Sequence, residues 1–418
     1  MPGGRDAKAV QRAGPDLRVR GGSKAAEIAN LKLCATILNQ TLICFARKGG
    51  EDVRGKNGIL VTTMLFLVCL ISLAAAEEKK PKLVLVKQQE TPVLTVSSPG
   101  AEGNRHGFEG GRVLKLGRTY HLFVSEMAGD PFWVKMKLGH WTSEDRLHWK
   151  RVSTLFESSG EFEGKDPRAA LWAPMPVYDE KEGRWNLFYV AYRSAPNTAT
   201  KWLNNHDGKL WRAVSQTRGI EGIGGPYEDV GIILQPGPES QPWEGLQGTD
   251  SFFPYQIGDQ WYGFYGSANT EMKDEQSLRG PWSVGLASAP ALAGPWKRLV
   301  EGNPLPIEKV FIENPIVTRL ADGTYAAVYD SHAPNAIGYT FSRDGIHWAP
   351  GEALIVQPKG KGFWADDVRT PLGLIPEGKD TFTLFYTGYE NVKSKFPDTS
   401  DPGTGSVGLV TLKLQRAK

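Results

Sequence analysis

The sequence predicts an all-β protein, a five-bladed β-propeller with four antiparallel strands in each blade. Three observations carry this. Between residues 103 and 418, paired runs of β-forming residues recur five times. Each pair is followed by a third such run. The phrase SEDRLHW at 143–149 also returns as SRDGIHW at 342–348. Phrases repeated at long separation mark repeated supersecondary units. Four-stranded units repeated around a ring make a propeller.

The second strand of each pair is the clearest. GRTYHLFVSE begins at Gly117, GRWNLFYVAY at Gly183, DQWYGFYGS at Asp259, DGTYAAVYDS at Asp322 and KDTFTLFYTGY at Lys379. Each is rich in aromatic and β-branched residues and follows a Gly- or Asp-containing turn, the signature of a strand in a hairpin. The first strands are GGRVLKL, APMPVYD, SFFPYQI, NPIVTRL and TPLGLIP. The third strands are KLGHWTSED, KLWRAVSQT, WSVGLASAP, NAIGYTFSRD and GSVGLVTLKL. SEDRLHW, SRDGIHW and SAPALAGPW then link third to fourth strands. Their Asp and Gly shape the turn, and the Trp is expected to pack between sheets. The span allows roughly 63 residues per blade. KLVLVKQQETPVLTV, from Lys82, is expected to close the ring as the outer strand of the last blade, removing an open edge.

The region before this domain reads differently. Residues 1–58 are basic and scattered with Gly. Residues 59–76, ILVTTMLFLVCLISLAAA, form an apolar run after Arg54 and Lys56. A basic segment, an apolar segment and a small-residue exit describe a secretory signal peptide, with cleavage after Ala76. The alternative is an uncleaved anchor, since about 18 apolar residues just span a bilayer. A translation start at Val53 or Met64 would put the signal at the N-terminus. Residues 77–102 read as a linker with the ring-closing strand, and 103–418 as the propeller. Cys34, Cys44 and Cys69 all precede the cleavage point, so a mature chain would carry no cysteine. A secreted or periplasmic location follows, without stable membrane insertion after cleavage.

Composition excludes other classes. The chain is 40% hydrophobic and 23% charged with a net charge of +3, too balanced to imply nucleic acid. There is no His/Cys metal spacing, no P-loop and no Gly-x-Ser-x-Gly elbow. GIGG at 222–225 reads as a loop. The 13 Trp and 13 Tyr supply aromatic faces of the kind that stack on sugars, although Trp also fills cores.

In a propeller the innermost strands surround a channel, and their first residues converge at one mouth. Glu109, Asp250 and Glu313 open blades 1, 3 and 4, and Asp366 and Asp367 open blade 5. Blade 2 has no acid at that place. Arg105, His106, His332 and Arg369 lie near the same mouth as candidate substrate ligands. Trp172 and Trp364 are candidate sugar platforms, with core packing as the alternative. For each acid the alternative is a carboxylate that accepts backbone N–H bonds in a turn.

These blades resemble the five-bladed propeller glycoside hydrolases, above all the arabinanase and β-xylosidase family, family 43. LWAPMPVYDEKEGRWNLFYVAY resembles that family's Trp-Ala-Pro-Asp blade, with Met175 in place of the Asp. TDSFFPYQIGDQWYGFYGS resembles the blade that carries a pKa-modulating Asp, which implies that role for Asp250. ENPIVTRLADGTYAAVY resembles the general-acid blade, which implies that role for Glu313. The family's base is an Asp opening blade 1. This sequence has Glu109 there, and strict alignment places Gly110 at that position. If Glu109 points away from the channel, Asp366 or Asp367 becomes the better base. The resemblance favours inversion of configuration and admits a structural calcium in the channel, with no other cofactor.

Glycoside hydrolysis needs one protonated carboxyl and one ionised carboxylate. A further carboxylate beside the acid keeps it protonated by like-charge repulsion. The expectation is therefore an exported hydrolase of a poly- or oligosaccharide. A glycoside phosphorylase on the same fold and a non-catalytic sugar-binding propeller are the alternatives.

Overall fold

The computed structural model of the chain describes residues 80–196, 204–273, 276–278, 280–357, 363–392 and 403–416. The upstream segment, the run read as a signal sequence and all three cysteines lie outside the described residues. Five four-stranded antiparallel sheets form the fold. Blade 1 is Phe108–Leu116, Thr119–Met127, Met136–Ser143 and Lys150–Glu157. Blade 2 is Ala170–Asp179, Arg184–Ser194, Asn205–Ser215 and Tyr227–Leu234. Blade 3 is Asp250–Ile257, Gln260–Ala268, Trp282–Ala289 and the short Lys297–Arg298. Blade 4 is Ile312–Arg319, Tyr325–Ser331, Ala336–Ser342 and Glu352–Ile355. Blade 5 is Asp367–Pro376, Thr381–Glu390 and Thr404–Gln415, with Lys82–Gln88 as its outer strand.

The innermost strands of neighbouring blades touch in the order 1-2-3-4-5 and back to 1, so the ring is closed. A two-stranded ribbon, Glu271–Lys273 with Gln276–Leu278, projects from blade 3. The stretch read as a glycine-rich loop instead forms part of a short 3-10 helix, Ile220–Gly224. Among the described residues no helix is long and apolar enough to cross a membrane.

The recurring phrase folds into the same turn twice. In blade 1, Asp145 Oδ1 accepts the N–H groups of Leu147 and His148 at 2.9 and 2.8 Å. Asp145 Oδ2 lies 2.6 Å from His148 Nδ1. Trp149 Nε1 donates to the Arg146 carbonyl at 3.1 Å. In blade 4, Asp344 Oδ1 accepts Ile346 and His347 N–H at the same 2.9 and 2.8 Å, and Trp348 Nε1 donates to the Gly345 carbonyl at 3.1 Å. Arg146 and Gly345 occupy the same left-handed position, at φ 75° and 79°. Each Trp is turned onto the preceding blade. Trp149 meets Phe385 of blade 5 edge-on at 5.9 Å, and Trp348 packs on Phe264 of blade 3 at 5.3 Å. The phrase is thus an inter-blade fastener.

Blade 1 also holds a histidine pair, with His140 buried and His121 half-buried. His121 Nδ1 lies 3.0 Å from His140 Nε2, and the His140 ring stacks on Phe123 at 4.4 Å. Burial, with a smaller push from His121, lowers the His140 pKa to about 3. A histidine held neutral in the folded state takes up a proton on unfolding. Its contribution is present above the ordinary value of about 6.5 and is lost as pH falls from there towards 3, at about 1.4 kcal/mol per pH unit. Thermal unfolding of the wild type should therefore lose more stability between pH 7 and 4 than that of His140→Phe. Parallel pH curves for the two proteins would remove this role.

Candidate active site

The start of each innermost strand carries a break in register. It falls between Glu109 and Gly111, Trp172 and Met175, Asp250 and Phe253, Glu313 and Ile316, and Val368 and Pro371. In blades 1 to 4 the residue inside the break has positive φ: Gly110 at 64°, Ala173 at 51°, Ser251 at 54° and Asn314 at 50°. Only small residues, or Asn, sit there without large cost. Such a bulge re-aims the side chain beside it. Glu109, Trp172, Asp250 and Glu313 are therefore structural equivalents, each immediately before the left-handed residue. Equivalence by bulge puts Glu109, rather than Gly110, at the blade-1 position. Adjacent bulges are tied together. Ser125, paired with Glu109, accepts the Ala173 N–H at 2.9 Å, and Ser251 accepts the Asn314 N–H at 3.1 Å.

Glu109, Glu313 and Asp330 meet around Arg369. One of its terminal nitrogens lies 3.3 Å from Glu109 Oε1 and 3.7 Å from Glu313 Oε2. Its Nε donates to Asp330 Oδ2 at 3.1 Å. Tyr389 donates a short hydrogen bond to Glu109 Oε2, and the Thr370 hydroxyl reaches Oε1 at 3.4 Å. Asp250 is in hydrogen-bonding reach of Glu313 and Tyr192, and its Oδ1 accepts its neighbour Ser251's N–H at 2.5 Å. Glu109 and Asp250 are each 5% exposed, and the Glu313 side chain is 14% exposed.

Electrostatics separate these groups. Burial pushes Glu313 well above the usual carboxylate range, and the charge of Asp250 pushes it further, against the opposing pull of Arg369. Burial likewise raises Asp250. Asp330 is pushed up to about 7 by burial, again with Arg369 opposing. Arg369 stays charged: burial works against its cation, but Asp330, Glu109 and Glu313 outweigh that and raise its pKa well above the ordinary value. Three carboxyl groups thus surround one guanidinium, and Asp250 adjoins Glu313; crowding of buried carboxyls disfavours their charged forms.

The other candidates lie outside this cluster. Arg105 and His106 both pair with Asp130, His106 at 3.0 Å and also edge-on to Phe132 at 5.1 Å. They line the rim and do not reach the acids. Asp366 is exposed and accepts the Val392 N–H at 3.2 Å, as a turn-capping carboxylate does. Asp367 is near enough to Asp330 to raise its pKa. His332 is exposed in the turn after Tyr325–Ser331. Trp364 stacks on Tyr386 at 6.0 Å within blade 5, so it packs rather than presents a platform. Trp172 is half-buried, donates to the Trp133 carbonyl at 3.2 Å and packs beside Trp133 and Phe132.

Sequence reasoning passed over Asp330, Tyr192 and Tyr389. All three end second strands, opposite the starts of first strands: Glu313 pairs with Asp330, Ala170 with Tyr192 and Asp367 with Tyr389. The signal was the hairpin register, which places the ends YDS, YRS and GYE at the same mouth as the acids. Among the described residues no group of three or more His, Cys, Asp or Glu side chains is arranged as a metal site.

No family model matches the sequence, and no curated protein matches it either. Solved structures do. BT0996, solved as a complex with RGII, is 16% identical, covers 78% of this chain and 92% of its own, and superposes with a TM-score of 0.57. A structure described as a glycoside hydrolase is 16% identical, covers 80% of this chain and 94% of its own, with a TM-score of 0.56. The likeness is one of fold: this chain shares its propeller with these structures. Within this propeller the carboxyl cluster sits where the innermost strands begin, at one mouth of the channel.

Proposed function

We propose that the propeller is an exported glycoside hydrolase that cleaves a poly- or oligosaccharide with inversion of configuration. The observation that carries this reading is the meeting of Glu109 and Glu313 at a single guanidinium. Two carboxylate oxygens 3.3 and 3.7 Å from one nitrogen are at most about 7 Å apart, close enough to act on one glycosidic bond, and the choice of inversion rests on the family resemblance. Glu313, kept protonated by burial and by Asp250, is the acid. It gives its proton to the glycosidic oxygen as the bond from that oxygen to the anomeric carbon breaks. Glu109 is the base. It takes a proton from the water whose oxygen bonds to the anomeric carbon on the opposite face. A carboxylate has about four acceptor sites, so Glu109 can keep Tyr389 and Arg369 and still receive that proton. Asp330 holds Arg369 in place.

Arg369 is engaged by three carboxylates and Arg105 by Asp130, which favours water over phosphate as the acceptor. The test is incubation with a panel of plant and algal polysaccharides, reading released reducing ends and, by NMR, the anomer first formed. Axial-to-equatorial exchange supports inversion, and retention overturns that part. Saturable binding without cleavage would make the protein a sugar-binding propeller. In an active enzyme, Asp250→Asn should remove the charge that raises Glu313 and move the alkaline limb of the pH–rate profile downwards. An unmoved limb would detach Asp250 from the acid.

A further inference from the structure

The innermost strands run away from the acids towards the far mouth of the channel, which carries charge of the opposite sign. Arg112 lies three residues beyond Glu109, and Arg319 six beyond Glu313. At roughly 3.3 Å per residue, Arg319 is about 20 Å along the strand from the acid. Between these strands and Gly373–Pro376 of blade 5 opens a cavity of about 410 Å³, lined by Arg112, Lys115, Thr318 and Arg319. A second cavity of about 430 Å³ shares Arg319 and adds Lys379.

Arg112 is the unusual member. Its guanidinium extends from blade 1 to the next blade, donating to the Pro176 carbonyl of blade 2 at 2.6 Å. It lies over the Phe253 ring of blade 3, 4.8 Å from the centroid. Those are a neutral acceptor and an aromatic face. Burial lowers its pKa to about 10, with no carboxylate acting against that. Arg369, at the opposite mouth, has three acids around it. A buried cation is normally paired, because desolvating an unpaired charge is costly. Lys115 is already engaged by Glu377 at 2.7 Å, whereas Arg319 is exposed at the cavity wall.

We propose that the far mouth of the channel is a binding site for a small oxyanion, held by Arg112 from within and Arg319 from the rim. A guanidinium presents parallel N–H donors that match a tetrahedral oxyanion or a carboxylate, and the cavity is in the size range of small-ligand sites. Its walls come from blades 1, 4 and 5, so the anion would tie three blades together opposite the catalytic mouth. The site is separate from the carboxyl cluster and does not depend on which sugar is cleaved.

The experiment is calorimetric titration of the folded protein with inorganic phosphate and, separately, with acetate, at ionic strength held constant with sodium chloride. Thermal unfolding is followed in parallel. Arg112→Gln, Arg319→Gln and Arg369→Gln are compared with wild type. The expected result is saturable binding of phosphate or acetate that also raises the melting temperature. Binding should weaken about tenfold or more in Arg112→Gln, the scale of a lost charge-assisted hydrogen bond, weaken in Arg319→Gln, and persist in Arg369→Gln. The phosphate and acetate arms distinguish a tetrahedral oxyanion from a carboxylate group. Arg319 is exposed, so its variant stays informative if Arg112→Gln fails to fold. No saturable binding of either anion overturns the proposal. So does binding unchanged in Arg319→Gln and Arg112→Gln, or binding lost only in Arg369→Gln, which would place the anion among the acids.

Discussion

Glu313→Gln is expected to lower turnover of an unactivated glycoside by about 10²-fold or more, the scale on which a positioned acid acts. Aryl glycosides with good leaving groups need less protonation and should lose less. The variant should fold. Glutamine is close in shape to the protonated acid, the form that burial and Asp250 favour at this position. The sign of the stability effect follows. A carboxyl whose folded pKa is raised contributes stability below its unfolded value and loses it as pH rises through the folded value. Gln has no such loss, so Glu313→Gln should be at least as stable as wild type at alkaline pH. Equal loss on activated and unactivated substrates would show that Glu313 is not the acid.

Removing Arg369 should have the largest structural effect. Arg369→Met leaves Glu109, Glu313 and Asp330 facing one another without the cation that now touches all three. Breaking a buried ion pair from one side costs about 3–5 kcal/mol. The cost should depend on pH. Asp330 already titrates at about 7 against the pull of Arg369. Without the cation, its pKa and that of Glu313 rise further. The stability these groups give is present below about 4, the unfolded value, and is lost as pH rises through the folded values. Melting curves should therefore place Arg369→Met much nearer wild type at pH 5 than at pH 8. A deficit equal at both values would assign Arg369 a packing role. Catalytic activity should fall as well, because Glu109 loses the cation beside Oε1.

The fold was legible because hairpin composition repeats. Five aromatic second strands after short turns define the blades, and the twice-used Ser-x-Asp-x-x-His-Trp phrase marks equivalent corners. The acids were legible too, since each opens an innermost strand. What strand periodicity hides is the bulge. Plain alternation assigns a residue to one face or the other, and aligning by spacing put Gly110 where Glu109 belongs. The left-handed residue after each acid, and after Trp172 in blade 2, corrects this, and its trace in the sequence is the set of dipeptides Glu-Gly, Trp-Ala, Asp-Ser and Glu-Asn. The rim was read less well. Arg105 and His106 are close to the mouth in sequence, but Asp130, from the next hairpin loop, draws them aside. Trp364 has the composition of a platform and the surroundings of a core residue. Asp330 needed hairpin register, a long-range fact within the blade.

The pairing of Lys82–Gln88 with Thr404–Gln415 also orders events in time. Lys82 leaves the ribosome early and waits for Gln415, roughly 330 residues later, before its edge is covered. Contacts that far apart in sequence form slowly. For that interval the early strand is an open template for any other strand it meets. Synthesis that stops before Thr404 yields four complete blades and no closed ring. Such a product should be recognised by chaperones and proteases as unfinished, however well its first blades have packed.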